Sequence, residues 1–208
     1  MRWTICSVLL QAAAAINFCS ECGSSRIEFR VPPGDERERF VCADCGTVTY
    51  VNPKIVCGCV LRACDNFLLA RRNIDPRRGF WGFPQGYMEL GETTRECAAR
   101  ETLEETGVKI DPRRLELLAV YNLPNQVQLL YDLNLDSIVH ADATTESSEI
   151  KLFHFDDIPF GDLAFPTVRW AINFARDKSS PPRIQQRTKV YDKAAETWVV
   201  ADDTAFPY

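Results

Sequence analysis

Histidine is nearly missing: the 208 residues hold 2, His140 and His154, and neither has ligand spacing, so the chain offers no imidazole metal site. No apolar run reaches the roughly 20 residues that cross a bilayer. An excess of positive charge is absent as well. With 24 Lys+Arg against 29 Asp+Glu the net charge is −5, which argues against broad nucleic-acid or anionic-membrane binding. An anionic substrate then has to be met locally, by a metal and a few arginines. What remains is ample for a core, since 46% hydrophobic and 25% charged residues describe one catalytic-sized domain plus something small.

Acid is concentrated in one stretch, Gly86 to Val108, GYMELGETTRECAARETLEETGV. Glu101, Glu104 and Glu105 stand at i, i+3 and i+4, so a helix puts their carboxylates on one face. Like charges so placed repel by roughly a few tenths of a kcal/mol per pair. A cation against that face removes the cost, and hard oxygen ligands one turn apart suit Mg²⁺ or Mn²⁺. Gly86 and Gly91 permit a loop that doubles back, Glu92, Thr93 and Thr94 cap the helix N-terminus, and Gly107 ends the helix in the left-handed conformation. Arg100 can lock Glu101 with its planar fork, and Glu96 precedes it by one turn.

Gly86, Glu92, Arg100, Glu101, Glu104, Glu105, Gly107 and Val108 fall on G-x5-E-x7-R-E-U-x-E-E-x-G-U, and the stretch therefore resembles the Nudix box. Thr102 departs from it, standing where a bulky apolar residue is usual. That swap weakens helix packing and touches no charged position. The resemblance implies an α/β chain with the Nudix fold, a mixed β-sheet sandwiched between helices. It also implies Mg²⁺ or Mn²⁺ held by Glu101, Glu104, Glu105 and the Gly86 carbonyl, with Arg100 orienting Glu101. Glu92, Glu101, Glu104, Glu105 and Arg100 are the candidate catalytic residues. Glu104 is a ligand or the general base, and Glu146 and Glu149, outside the helix, are further candidates for the base.

Before this region come Cys19-x2-Cys22 and Cys42-x2-Cys45. Thiolates on two tight turns fit a tetrahedral Zn²⁺, with IEFRV and ERERFVC pairing as short strands between them, the zinc-ribbon pattern. Two disulfides are the alternative in an oxidising compartment. A closed four-sulfur site leaves no position for substrate, so its zinc is structural. Cys57 and Cys59 alternate on one strand face and, with Cys97, read as small buried apolar groups, while Cys6 and Cys64 have no partner pattern.

The chain divides into a leader at 1–17, a zinc ribbon at 18–50, a hydrolase domain at 51–178 and a tail at 179–208. Residues 1–16 read either as a secretory-type or organelle leader or as an uncleaved N-terminal helix of a cytoplasmic protein. KIVCGCVLRA with NFLLARRN, and LELLAVYNLP with QVQLLYDLNL, are strand pairs; EIKLFHFDD is a further strand and Phe165-Pro166 opens a closing helix. TKVYD and TWVVA form a hairpin or stay partly disordered. Arg71 and Arg72 are candidate phosphate contacts, Trp81 or Phe80 a candidate stacking partner, and Glu149 a carboxylate able to reach the metals.

From Phe18 to about Asp177 the order of ribbon, Tyr-x-Asn-Pro, box, then LFHFDDIPFGDLAF is similar to the zinc-ribbon Nudix subgroup that includes the plant plastid FAD and ADP-ribose pyrophosphatase. This implies hydrolysis of a small-molecule nucleotide such as FAD or ADP-ribose, with release of AMP. The S-Q-P-W-P-F-P-x-S array of the NADH pyrophosphatases is absent, and Gln85 replaces the subgroup's usual Ala or Gly. NADH, a dinucleoside polyphosphate or an oxidised nucleoside triphosphate is the alternative substrate, and a non-catalytic nucleotide-binding module the alternative class. No nucleic-acid or membrane partner is expected, and homodimerisation is common among similar enzymes.

Overall fold

The computed structural model describes residues 16–135, 141–177, 184–192 and 197–202. Residues 1–15, including Cys6 and most of the leader, and His140 lie outside them. The chain divides into two compact units between Pro53 and Lys54.

In the first unit β1 (Ile27–Arg30), β2 (Arg39–Cys42) and β3 (Val48–Thr49) form an antiparallel sheet. The two knuckles are built alike. The Gly23 N–H donates to the Cys19 carbonyl and the Gly46 N–H to the Cys42 carbonyl, both at 2.9 Å. Each glycine has φ above +70°, which no other residue adopts cheaply.

The second unit is a mixed sheet. It contains β4 (Lys54–Ala63), β5 (Asn66–Arg72), β6 (Trp81–Gly82), β7 (Gln85–Tyr87), β8 (Glu116–Leu123), β9 (Gln126–Asn134), β10 (Ser147–His154), β11 (Gln185–Asp192) and β12 (Thr197–Asp202). The order is β10-β5-β4-β9-β8-β11-β12, with β6 beside β5 and β7 beside β4. Strand β4 runs parallel to β9, and β11 runs parallel to β8. Its continuous apolar sequence marks β4 as central, buried from Val56 to Ala63. One face packs against α1 (Thr94–Thr106) through Cys57, Cys59, Leu61, Cys97 and Ala98. The other packs against α2 (Pro166–Arg176) through Val60, Leu130, Val168 and Ile172. The cation Arg62, 4% exposed, is paired across β4 and β9 with Asp132, which a buried charge requires.

One expectation shifts. EIKLFHFDD leaves the strand at His154 for a 3₁₀ turn over Phe155–Asp157, because the His154 Nδ1 accepts the Asp156 N–H. TKVYD and TWVVA lie in β11 and β12, which pair antiparallel.

Candidate functional site

Helix α1 carries the acidic face. Thr93 is its N-cap: its hydroxyl accepts the Glu96 N–H at 3.3 Å while the Glu96 carboxylate accepts the Thr93 N–H at 2.7 Å. Gly107, at φ 72°, closes the other end. Thr94 shares a 2.6 Å hydrogen bond with the Tyr131 hydroxyl of β9, which fixes the first turn. Thr102 is fully buried, and its hydroxyl donates to the Ala98 carbonyl at 2.7 Å, so the polar atom at this apolar position is satisfied within the helix.

Glu96 is thus engaged in the cap, and the partner of Arg100 is Glu92. Arg100 donates to Glu92 through Nε at 3.1 Å and Nη2 at 2.8 Å, to Glu101 at 2.7 Å, to Glu104 at 3.0 Å and to the Tyr87 carbonyl at 3.0 Å. Loop and helix face are held by one guanidinium, which keeps Glu92 down to about 2. Arg100→Lys keeps the charge and loses the fork; we expect turnover to fall about 10- to 100-fold with a small loss of stability. Steady-state kinetics beside a melting curve checks this, and unchanged kcat would contradict it.

Glu101 and Glu105 are buried, 9% and 8% exposed, whereas Glu104 reaches solvent. Burial raises Glu101 and pushes Glu105 up to about 8, the latter also feeling the charge of Glu101. The Gln85 backbone N–H works the other way and favours the Glu105 carboxylate. Gly86 lies against Glu101 so closely that a Cβ would overlap the carboxyl, which is a physical reason for glycine there. Glu146, ahead of β10, adds its negative charge to both buried acids, and Arg72 opposes it at Glu105.

The folded protein keeps the Glu105 proton up to a pH of about 8, while the ordinary value of 4.5 applies once unfolded. In that window the folded state binds more protons, so stability of the metal-free protein falls as pH rises from about 5 to 8. Melting curves in chelator across this range check the sign. A divalent cation should restore more stability at pH 8 than at pH 6.

Arg71 and Arg72 occupy opposite faces, as neighbours on a strand must. Arg72 faces Glu105. Arg71 stands opposite Trp81, 5.9 Å from its ring, and pairs with Glu149 at 3.6 Å, a half-exposed pair that contributes about 0–1 kcal/mol. Trp81 is a core residue, 7% exposed and edge-on to Phe153 at 4.9 Å, which leaves no open ring for stacking. Cys57 and Cys97 are fully buried, and burial raises both thiols.

In the ribbon, Cys19, Cys22, Cys42 and Cys45 present sulfurs within 4.8 Å of one another, the one such group among the described residues. Cys19–Cys45 and Cys22–Cys42 are each 3.6 Å apart, too far for disulfides and close to the roughly 3.8 Å edge of a ZnS₄ tetrahedron. The Thr47 hydroxyl lowers Cys45 to about 6, favouring the thiolate that binds metal. The site fits zinc. Glu101, Glu104 and Glu105 do not close up in this way, the first two being drawn to Arg100. Yet Glu92, Glu101, Glu104, Glu105 and Glu146 outnumber Arg72 and Arg100, and that partly buried excess of negative charge fits divalent cations.

The NUDIX domain profile matches residues 52–176, and the profile described as Nudix N-terminal, a zinc ribbon, matches residues 17–51. A NUDIX hydrolase structure from Nitrosomonas europaea is similar, with TM-score 0.73 and 35% identity, covering 84% of this chain and 100% of that one. The ADP-ribose pyrophosphatase of Methanocaldococcus jannaschii is 27% identical over 62% of this chain and 78% of its own length. An NAD-capped RNA hydrolase of Salmonella paratyphi C is 28% identical over 68% of this chain, which spans about half, 53%, of that relative.

Proposed function

The chain belongs to the Nudix hydrolase family, and on that premise we propose that it splits the diphosphate link of a nucleoside diphosphate joined to a second moiety, FAD or ADP-ribose, releasing AMP. The observation that carries this reading is the pair of buried carboxylates, Glu101 and Glu105, on one helix face, with Gly86 pressed against the first and the charge of Arg72 felt at the second. When bound, Mg²⁺ or Mn²⁺ supplies charge neutralisation of the phosphate oxygens and a more acidic water.

Glu101 and Glu105 hold the cation, with the exposed Glu104 and the Gly86 carbonyl beside them. Arg100 keeps Glu101 and Glu104 at fixed angles and does not react. Arg72 takes a phosphate oxygen of the substrate. Glu146 accepts the proton of the attacking water, since its charge is felt at both buried acids while Glu149 is turned to Arg71. The ribbon's zinc holds the N-terminal unit together and takes no part in the reaction.

Similarity to an ADP-ribose pyrophosphatase supports the ADP-ribose reading. Similarity to NAD-capped RNA hydrolases favours a second one, an NAD-type dinucleotide as substrate. Incubation with FAD, ADP-ribose and NADH in Mg²⁺ or Mn²⁺, with AMP measured, separates them. AMP from FAD or ADP-ribose at the higher kcat/KM is the expected result; a preference for NADH exchanges the two readings, and no AMP from any substrate defeats both.

A further inference from the structure

Two carboxamides on the sheet face toward α2 have unpartnered oxygens. Gln128 is 4% exposed, and its Oε1 has no hydrogen-bond partner; the Oε1 of half-buried Gln85 is equally buried and alone. Register puts both on one face. Gln85 stands opposite Gly58 and Gln128 opposite Val56, on the two flanks of β4 and one side-chain row apart. Gly58 makes the room, since a Cβ there would come within 2.6 Å of the Gln85 Cβ and 2.9 Å of the Pro84 carbonyl oxygen. On the same face Tyr87, opposite Val56, is 51% exposed. Tyr87 and Gln128 thus flank Val56 in one row, with half-buried Gln85 in the next, and Lys54 Nζ lies 4.7 Å from the centroid of the exposed Tyr87 ring. A further orphan, the Thr167 hydroxyl, lies buried in the first turn of α2, the helix that packs on this face.

A buried polar atom left unpaired is costly, so oxygens gathered on one face call for a complementary donor. An aromatic ring beside carboxamides is the set that reads a nucleobase: the ring stacks, and an amide pairs with an amino donor next to a ring-nitrogen acceptor. The site adjoins the acidic face through Gln85, whose backbone N–H favours the Glu105 carboxylate.

We propose that Tyr87, Gln85 and Gln128 form the base-recognition site of the substrate, selecting a base with an amino donor beside a ring nitrogen, the edge that adenine offers. This rests on the nucleotide pyrophosphatase reading. The test is calorimetric titration of the full chain with AMP and with purine riboside 5′-monophosphate, which differs only in lacking the amino group. Binding needs no turnover. The wild type should prefer AMP by about tenfold or more, and Gln128→Leu and Gln85→Leu should each bring the ratio close to one. Gln128→Leu should also melt no lower than the wild type, the orphaned amide being gone. Gln85 is only half-buried, so Gln85→Leu keeps the question open to decision if Gln128→Leu does not fold. Equal affinity of the wild type for the two nucleotides, or an unchanged preference in the folded variants, overturns the assignment. A chain that selects AMP yet hydrolyses neither FAD nor ADP-ribose defeats the functional reading and leaves this one standing.

Discussion

Glu105→Gln lowers turnover on the order of 10²–10⁴-fold and leaves the melting temperature unchanged or higher. The two halves of this expectation have one cause. Glu105 is 8% exposed and its carboxyl is pushed up to about 8, so folding holds a charge-bearing group where charge is unwelcome. Gln keeps the volume and removes the charge, which relieves the fold and deprives a divalent cation of its ligand. The stability gain should be largest above pH 8, where the wild-type carboxyl is ionised. Glu104→Gln, at a solvent-exposed position, should also lower kcat with no gain in stability. Full activity in both variants would refute the assignment of the acidic face.

Cys42→Ser, by contrast, removes structure and spares chemistry. Cys42 is 2% exposed, its N–H is bonded to the Thr47 carbonyl, and its sulfur lies 3.6 Å from that of Cys22. Among its described residues the three-stranded unit has little else inside, Val41 being the one fully buried large side chain. Structural zinc in units of this size contributes about 10–16 kcal/mol of apparent binding free energy, enough to decide whether they fold. The variant should lose its zinc, expose the 17–51 segment to protease, and retain kcat per intact hydrolase domain within about threefold. Elemental analysis and limited proteolysis read both. A Cys42→Ser protein with full zinc content and an unchanged digest would remove the ribbon claim.

Much of this was legible because it is local. The box, the caps at Thr93 and Gly107, the two knuckles, and the strand pairs joined at Cys64–Asp65 and Pro124–Asn125 all rest on residues a few positions apart. Their spacing carries the geometry. Contacts closed by folding left no such trace. Glu92, eight residues from Arg100, becomes its main partner only because the loop turns back, with the Glu89 N–H on the Glu92 carboxylate at 2.7 Å. Spacing alone favoured Glu96, which the cap claims. Strand alternation separates Arg71 from Arg72, yet the sequence does not say which face meets Glu105. Trp81 looks like a stacking residue until Phe153, seventy-two positions later, packs on it. Strand β11 beside β8 has no local signal at all, and the orphaned oxygens of Gln85 and Gln128 emerge only from the register across β4.

The most direct test of the account is calorimetric titration of Mn²⁺ into the purified chain at pH 8, compared with Glu101→Gln and Glu105→Gln. The account predicts saturable uptake by the wild type that both substitutions weaken by at least tenfold. Absence of uptake, or uptake that both variants share undiminished, would contradict it.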